Sequence, residues 1–252
     1  MAAEHRRWYP YQELRPDELA AIVAESPVAY WPLGLIEHHG WHLPIGFDGI
    51  KAERLCARIA ERTGGVLLPV MWWGALGGHG EFRWTHYQPA EAAGAIVANT
   101  VAQLIAYGFR AIVLLCGHYP WENIVATPLS ALRAAHPEVL LLWGTEANIG
   151  RPEVDLPGDH AAREETTYGL ALLPELVDLD ALKPGRDAAS AWPHGHAPRD
   201  QYPGVRYDPA DPLFAQMGAD AREGSAAVGE ERLTRLAAHL AARINRHLGK
   251  PA

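Results

Sequence analysis

The chain has 252 residues and is mildly acidic, with 30 Asp and Glu against 22 Lys and Arg and a formal net charge of −8. With 48% hydrophobic residues it holds enough apolar surface for a large core, which excludes a wholly disordered chain. The acidic balance excludes nucleic acid as the main partner, because phosphates call for a basic face. Two cysteines, Cys56 and Cys116, are too few for a disulfide framework, whereas 13 His and 9 Trp exceed what a plain globular surface needs.

In chain order, the first fourteen residues carry Arg6 and Arg7 but no apolar stretch and no small-residue cleavage site. No run approaches the ~20 apolar residues of a membrane span, so a cytoplasmic protein without membrane contact is expected. Pro16, Asp17 and Glu18 open a helix whose apolar face is Leu19, Ile22 and Val23. Residues 28–33, 66–70, 111–115 and 139–143 are continuous apolar runs, the pattern of strands buried on both faces, with ends expected near Pro32 and Pro69. Helical spacing lies between them at 50–60 and at 91–107, the latter closed by Gly108, and a further helix is expected over 123–135. A last helix over 225–248 has Leu233, Leu236, Leu240 and Ile244 on one stripe and should pack outside the sheet. Residues 183–212, rich in Pro, Gly, Asp and His, read as a long loop, functional or mobile. Strand and helix alternate, which predicts an α/β fold of one domain over 1–252, with a mostly parallel central sheet flanked by helices.

Such sheets place their ligand sites beyond the carboxyl ends of the strands. After the first run come Glu37, His38, His39, His42 and Asp48; after the third, His118, Tyr119 and Glu122; past the fourth, Asp159, His160, Glu164 and Glu165. Carboxylate oxygens with neutral imidazole nitrogens suit Zn²⁺, Mn²⁺ or Fe²⁺, and an Asp shared between two metals is the usual core of a two-metal hydrolytic site. One such histidine alone is as often a satisfied core or surface imidazole; three clusters at successive strand ends point to a metal site.

The same residues carry a family resemblance. Glu37-His38-His39-Gly40-Trp41-His42-Leu43-Pro44 followed by Asp48 resembles the creatininase (creatinine amidohydrolase) signature E-x-H-G-x-H-L-P followed by Asp. Gly117-His118 stands where that family has N-G-H, residues 160–166 resemble its H-A-G-x-x-E-T-S, and residues 218–226 its G-D-P-R-x-A-S-A segment. The resemblance spans roughly residues 28–248. It implies a three-layer sandwich, two divalent metal ions, and Glu37, His39, Asp48 and His118 as ligands, with Asp48 bridging.

A further acidic ligand is expected. Creatininase itself reads G-H-Y-E-N, whereas here Pro120 and Trp121 precede Glu122. Either these two residues bulge so that Glu122 reaches the metal, or Glu165 supplies the ligand; Glu165 is preferred, and Glu122 is kept as a catalytic candidate. A water activated by two metals would attack a carbonyl, and His160 either carries the proton to the leaving nitrogen or orients a ligand. Trp41, Arg83, His86, Tyr119 and Trp121 are candidate substrate-binding residues, with a solvated loop the other reading of Arg83 and His86 and a subunit interface that of Trp72 and Trp192. The implied function is hydrolysis of a small, cyclic amide. Ring-opening of a cyclic polyol ketone, which Arg83 and His86 would suit, and a non-catalytic metal-binding role are the alternatives. A phosphoesterase is disfavoured because the loops lack an Arg/Lys clamp. The resemblance also implies a homo-oligomer, often a hexamer, acting on a small-molecule substrate.

Overall fold

Five strands form the sheet: β1 (Trp8–Pro10), β2 (Val28–Leu33), β3 (Gly65–Leu67), β4 (Ala111–Cys116) and β5 (Leu140–Gly144). Among the described residues seven α-helices accompany them: α1 (Pro16–Glu25), α2 (Phe47–Thr63), α3 (Ala90–Ala106), α4 (Trp121–Ala135), α5 (Arg163–Leu172), α6 (Ala188–Ala191) and α7 (Ala226–His247). This computed structural model describes residues 7–251; residues 1–6, with His5 and Arg6, and residue 252 lie outside the described residues.

The strand order is β1-β3-β2-β4-β5, and every neighbouring pair is parallel. All residues of β2 and β4 are buried. Their side chains alternate: Val28, Tyr30, Ala111, Val113 and Leu115 face one core, and Ala29, Trp31, Leu33, Ile112, Leu114 and Cys116 the other. Covering on both faces is why these strands read as unbroken apolar runs. The first core is closed by α2, α5 and α7, the second by α1, α3 and α4, giving three layers. As expected, α7 lies outside, with Leu233, Leu236, Leu240 and Ile244 turned inward against α2 and α5.

Several boundaries differ from expectation for identifiable reasons. β3 ends at Leu67, short of Pro69. The proline inside β2 is tolerated because Pro32 O accepts from Met71 N (2.9 Å), so its donor-less nitrogen faces the side on which β3 has already ended. α2 starts at Phe47, since the carbonyls of Pro44 and Gly46 already accept from Phe47 and Ile50 (2.9 and 3.1 Å), and this brings Asp48 into the helix. β1 is a three-residue strand, too short to show a period. α5 escaped pattern reading because its buried positions include Glu164, Glu165, Thr166 and Thr167, which form no apolar stripe.

From β2 the chain moves to β3 on one side and from β3 crosses to β4 on the other, so the direction of travel reverses at the β2–β4 pair. In parallel sheets that reversal opens a crevice at the carboxyl ends. The 183–212 segment folds over this end, carrying α6 and packing Trp192 and Tyr207 on Phe82. Just beyond it, Met217 forms a two-bond bridge with His160 (3.1 and 2.9 Å).

Candidate metal centre

Glu37 and His39 follow β2, His118 follows β4, Asp48 lies in the first turn of α2 and Glu165 in that of α5. All five are buried, none more than 4% exposed. Their convergence depends on how closely α2 approaches the strand ends. A Cβ on Gly117 would stand 2.0 Å from Asp48 O, and one on Gly34 would stand 2.4 Å from Gly49 Cα; both obstacles are backbone. Only glycine fits there.

Hydrogen bonds to carbonyls assign the imidazole tautomers, because a carbonyl can only accept. His118 Nε2 donates to Leu76 O (2.8 Å), so its Nδ1 presents the lone pair, 2.9 Å from Glu37 Oε2 and 3.4 Å from Asp48 Oδ2. His39 Nδ1 donates to Glu37 O (3.1 Å), so its Nε2 presents the lone pair, 3.0 Å from Asp48 Oδ1 and 3.7 Å from Glu165 Oε2. In each case one lone pair and two carboxylate oxygens converge. Glu37 Oε2 and Asp48 Oδ2 are buried without a hydrogen-bond partner, which costs about 1–3 kcal/mol per atom and more for a charged group. Both of these oxygens face His118, and a cation at that convergence point would offset the cost. The two groups, Glu37–Asp48–His118 and His39–Asp48–Glu165, have the composition and spacing of metal sites and share Asp48.

The electrostatics agree. Burial alone would lower the His39 pKa, but the Asp48, Glu165 and Glu37 carboxylates outweigh it and hold it at about 9. His118 is likewise raised, against burial, by Glu37 and Asp48. The carboxylates thus attract either a proton on the imidazole or a metal ion in its place.

His160 is half-buried beside this pair, its ring 4.4 Å from that of His39 and stacked at 3.7 Å on His79. Its Nε2 donates to His38 O (3.1 Å), leaving Nδ1 as the acceptor. Burial, with His79 and His39 nearby, lowers its pKa and keeps it neutral. Behind the centre, Lys51 Nζ bonds Glu165 Oε1 (2.6 Å) and Glu146 Oε1 (2.9 Å). A cavity of about 190 Å³ opens onto Glu37, Asp48, His118 and Glu165, walled by His79, Tyr119, Pro120, Asp159, His160, Tyr202 and Met217; among the described residues no Lys or Arg lines it.

Residues 12–244 match the family model described as creatinine amidohydrolase. The chain belongs to the creatininase family. It is 31% identical to creatinine amidohydrolase of Pseudomonas putida over 184 residues, covering 65% of this chain and 71% of that one. It is 28% identical over 197 residues to the mycofactocin precursor peptide peptidase of Mycobacterium ulcerans, covering 74% and 75%. A crystal structure of creatinine amidohydrolase (creatininase) superposes with a TM-score of 0.75 at 24% identity, covering 98% and 100%, and so shares the fold. A mutant creatininase of Zn-Zn type superposes at 0.73 with 26% identity, covering 96% and 98%. The chain is therefore an enzyme of an amidohydrolase family with residue groups able to hold metal.

Among creatininase-type candidates, Glu37, His39, Asp48, His118 and Glu165 come together, His160 joins them, and Tyr119 lines the cavity. Others do not. Because α4 begins at Trp121, Glu122 turns with its first turn into a separate polar groove, where both its oxygens accept from Asn148 Nδ2 (2.7 and 2.8 Å). It reaches neither the centre nor the cavity. Trp121 is a core residue, fully buried, with its indole donating to Gly34 O (2.9 Å). Trp41 stacks on Phe214 beneath Arg186. Arg83 bonds Ala189 O and covers Trp84, and His86 is exposed beside Trp73. None of these three lines the cavity. Trp192, 2% exposed, packs within its own loop cluster and is not free for a subunit interface.

His79, Tyr87, Lys51, Glu146, Asp159, Tyr202 and Met217 join the site without having been assigned from sequence. Tyr87 donates to Glu37 Oε1 (3.3 Å). Lys51 had one visible signal: a lysine three residues after Asp48, on an otherwise apolar helix face.

Proposed function

We propose that this protein is a two-metal amidohydrolase acting on a small, uncharged or cationic cyclic amide, with Glu37, Asp48 and His118 holding one divalent ion and His39, Asp48 and Glu165 the other. The observation that carries this reading is the division of Asp48. Its two oxygens face two different imidazole lone pairs, at 3.0 and 3.4 Å. A carboxylate used only to orient one histidine has no need of that arrangement. The Zn-Zn relative supports zinc at both positions, and the N/O donor set also accommodates Mn²⁺.

When bound, the ions supply Lewis acidity that activates water and polarises the substrate carbonyl. The chain's own groups do the rest. His160 Nδ1, neutral and oriented by the Nε2–H bond to His38 O, takes a proton and delivers it to the leaving nitrogen. His79, stacked on His160 and bonded through Nε2 to Ala215 O (2.9 Å), holds that ring in place. Tyr119, Pro120, Tyr202 and Met217 exclude water around the substrate.

The cavity supports a small substrate, and the absence of Lys and Arg from its walls disfavours an anionic one. Arg83 and His86, the side chains that would suit a cyclic polyol ketone, do not line the cavity, which favours the amide. The reading is tested by metal analysis after reconstitution, with an expected content of two ions per chain in the wild type and a large loss in Asp48→Ala. Wild-type content below one ion, or undiminished binding in Asp48→Ala, refutes it. A parallel screen of cyclic amides, N-formyl compounds, short peptides and cyclic polyol ketones with added Zn²⁺ or Mn²⁺ is expected to give turnover with the cyclic amides.

A further inference from the structure

We infer that Lys51 is a positioning residue: it clamps one oxygen of Glu165 so that the other is presented, alone, to the ion shared with His39 and Asp48. This rests on the two-ion reading above.

Lys51 lies three residues after Asp48 on α2, so both side chains leave the same helix face toward the same end of the sheet. Its ammonium is 1% exposed and sits between the rings of Phe47 and Tyr119, 5.2 and 5.1 Å from their centres. A cation so buried persists only when paired and hydrogen-bonded. The pairing here is directed. Glu165 Oε1 accepts from Lys51 at 2.6 Å, while Oε2 accepts from Ala161 N at 2.8 Å and faces His39. The Lys51 bond holds Oε1 toward the ammonium and so fixes the carboxylate with Oε2, which keeps a second lone pair, on the His39 side.

Glu146 is bonded to Lys51 and belongs to none of the metal-capable groups among the described residues. Its oxygen also accepts from the Tyr119 hydroxyl (2.8 Å). Tyr119 comes after β4, Glu146 after β5, Lys51 from α2 and Glu165 from α5. The clamp therefore joins four elements behind a single ligand. Second-layer partners of this kind set ligand orientation, and their loss commonly weakens metal binding ~10–100-fold.

The test is a Co²⁺ titration of chelator-stripped protein, followed by visible absorption. The wild type should take up two equivalents. In Lys51→Met/Glu146→Gln, which removes the ammonium together with the carboxylate it neutralises, the first ion should bind as in wild type. The second should weaken ~10–100-fold with an altered spectrum. Glu146→Gln alone keeps the Lys51–Glu165 bond and should weaken the second ion less than the double variant does. Glu165→Gln should also weaken the second ion, and adding the Lys51/Glu146 changes to it should cost little more, because Lys51 acts through Glu165. An unchanged second site in the folded double variant overturns the inference while leaving the two-ion reading intact. So does a fully additive further loss in the Glu165→Gln background, or a loss in Glu146→Gln equal to that of the double variant. A wild type that binds fewer than two ions overturns both.

Discussion

At the scale of single residues, what positions the centre is as much missing side chains as present ones. Glu37, His39, Asp48 and His118 were readable from the crowding of acids and imidazoles after two strands taken together with the motif resemblance. The space they need was not readable, since it depends on how closely α2 meets β2 and β4. Gly117→Ala is expected to force the Asp48 backbone away, its Cβ standing 2.0 Å from the carbonyl oxygen. Urea unfolding should report a loss of about 1–3 kcal/mol, the usual cost of overpacking, and metal affinity should fall with it. Unchanged stability and metal content would show that the loop relaxes freely. The choice between Glu122 and Glu165 belongs to the same scale: counting residues from His118 does not say which way a carboxylate points once α4 starts at Trp121.

At the scale of elements, α5 decides the second ligand group. Its first turn is capped not by Ala162, the residue preceding it, but by Asp159, whose carboxylate accepts the N–H groups of Glu164 and Glu165 at 2.7 and 3.0 Å. Burial raises the Asp159 pKa, opposed by these two bonds. Asp159→Ala should cost about 1 kcal/mol in urea unfolding, as loss of a helix cap does. Because the freed turn carries Glu165, the second ion should also bind more weakly. An equal weakening of both ions would argue that Asp159 acts on the whole cavity rather than through α5. Strands β2 and β4 and helices α3 and α4 were legible from continuous apolar runs and helical spacing. α5 was not, because Glu164, Glu165, Thr166 and Thr167 take up much of its buried face beside the Tyr168 and Leu172 that join the core, which breaks the apolar stripe.

Across the whole molecule, burying neutral histidines makes stability depend on pH. His38 and His42 are pushed down by burial, to about 3 and about 4, with His39 adding to both shifts. The unfolded chain titrates near 6.5. Each group's contribution is therefore intact above about pH 6.5 and is lost as pH falls toward the folded value, because the unfolded state binds the proton first. His39, held at about 9, acts in the opposite sense: its contribution is present below about 6.5 and is lost as pH rises through 9. The useful measurement is thus a difference. In chelator, the urea midpoint of wild type minus that of His42→Gln should fall between pH 7.5 and 5. A constant difference would show that His42 does not titrate in this range.

The alternation of apolar runs with helical spacing, and the acidic and imidazole clusters at strand ends, were enough by themselves to point to a parallel α/β sheet with a group of residues able to hold metal at its carboxyl edge. Both are local patterns, unbroken apolar runs and a 3.6-residue period, or residues placed by the rule that ligands gather where strands end. Contacts between residues far apart in sequence decided the remainder. Lys51 meets Glu165 across 114 positions and His42 meets Thr166 across 124. Whether Trp121 and Trp192 wall a pocket or fill a core likewise depended on helix start points and the fold of the 183–212 segment. Side-chain direction follows from how elements dock, and no period or spacing along one chain encodes that docking.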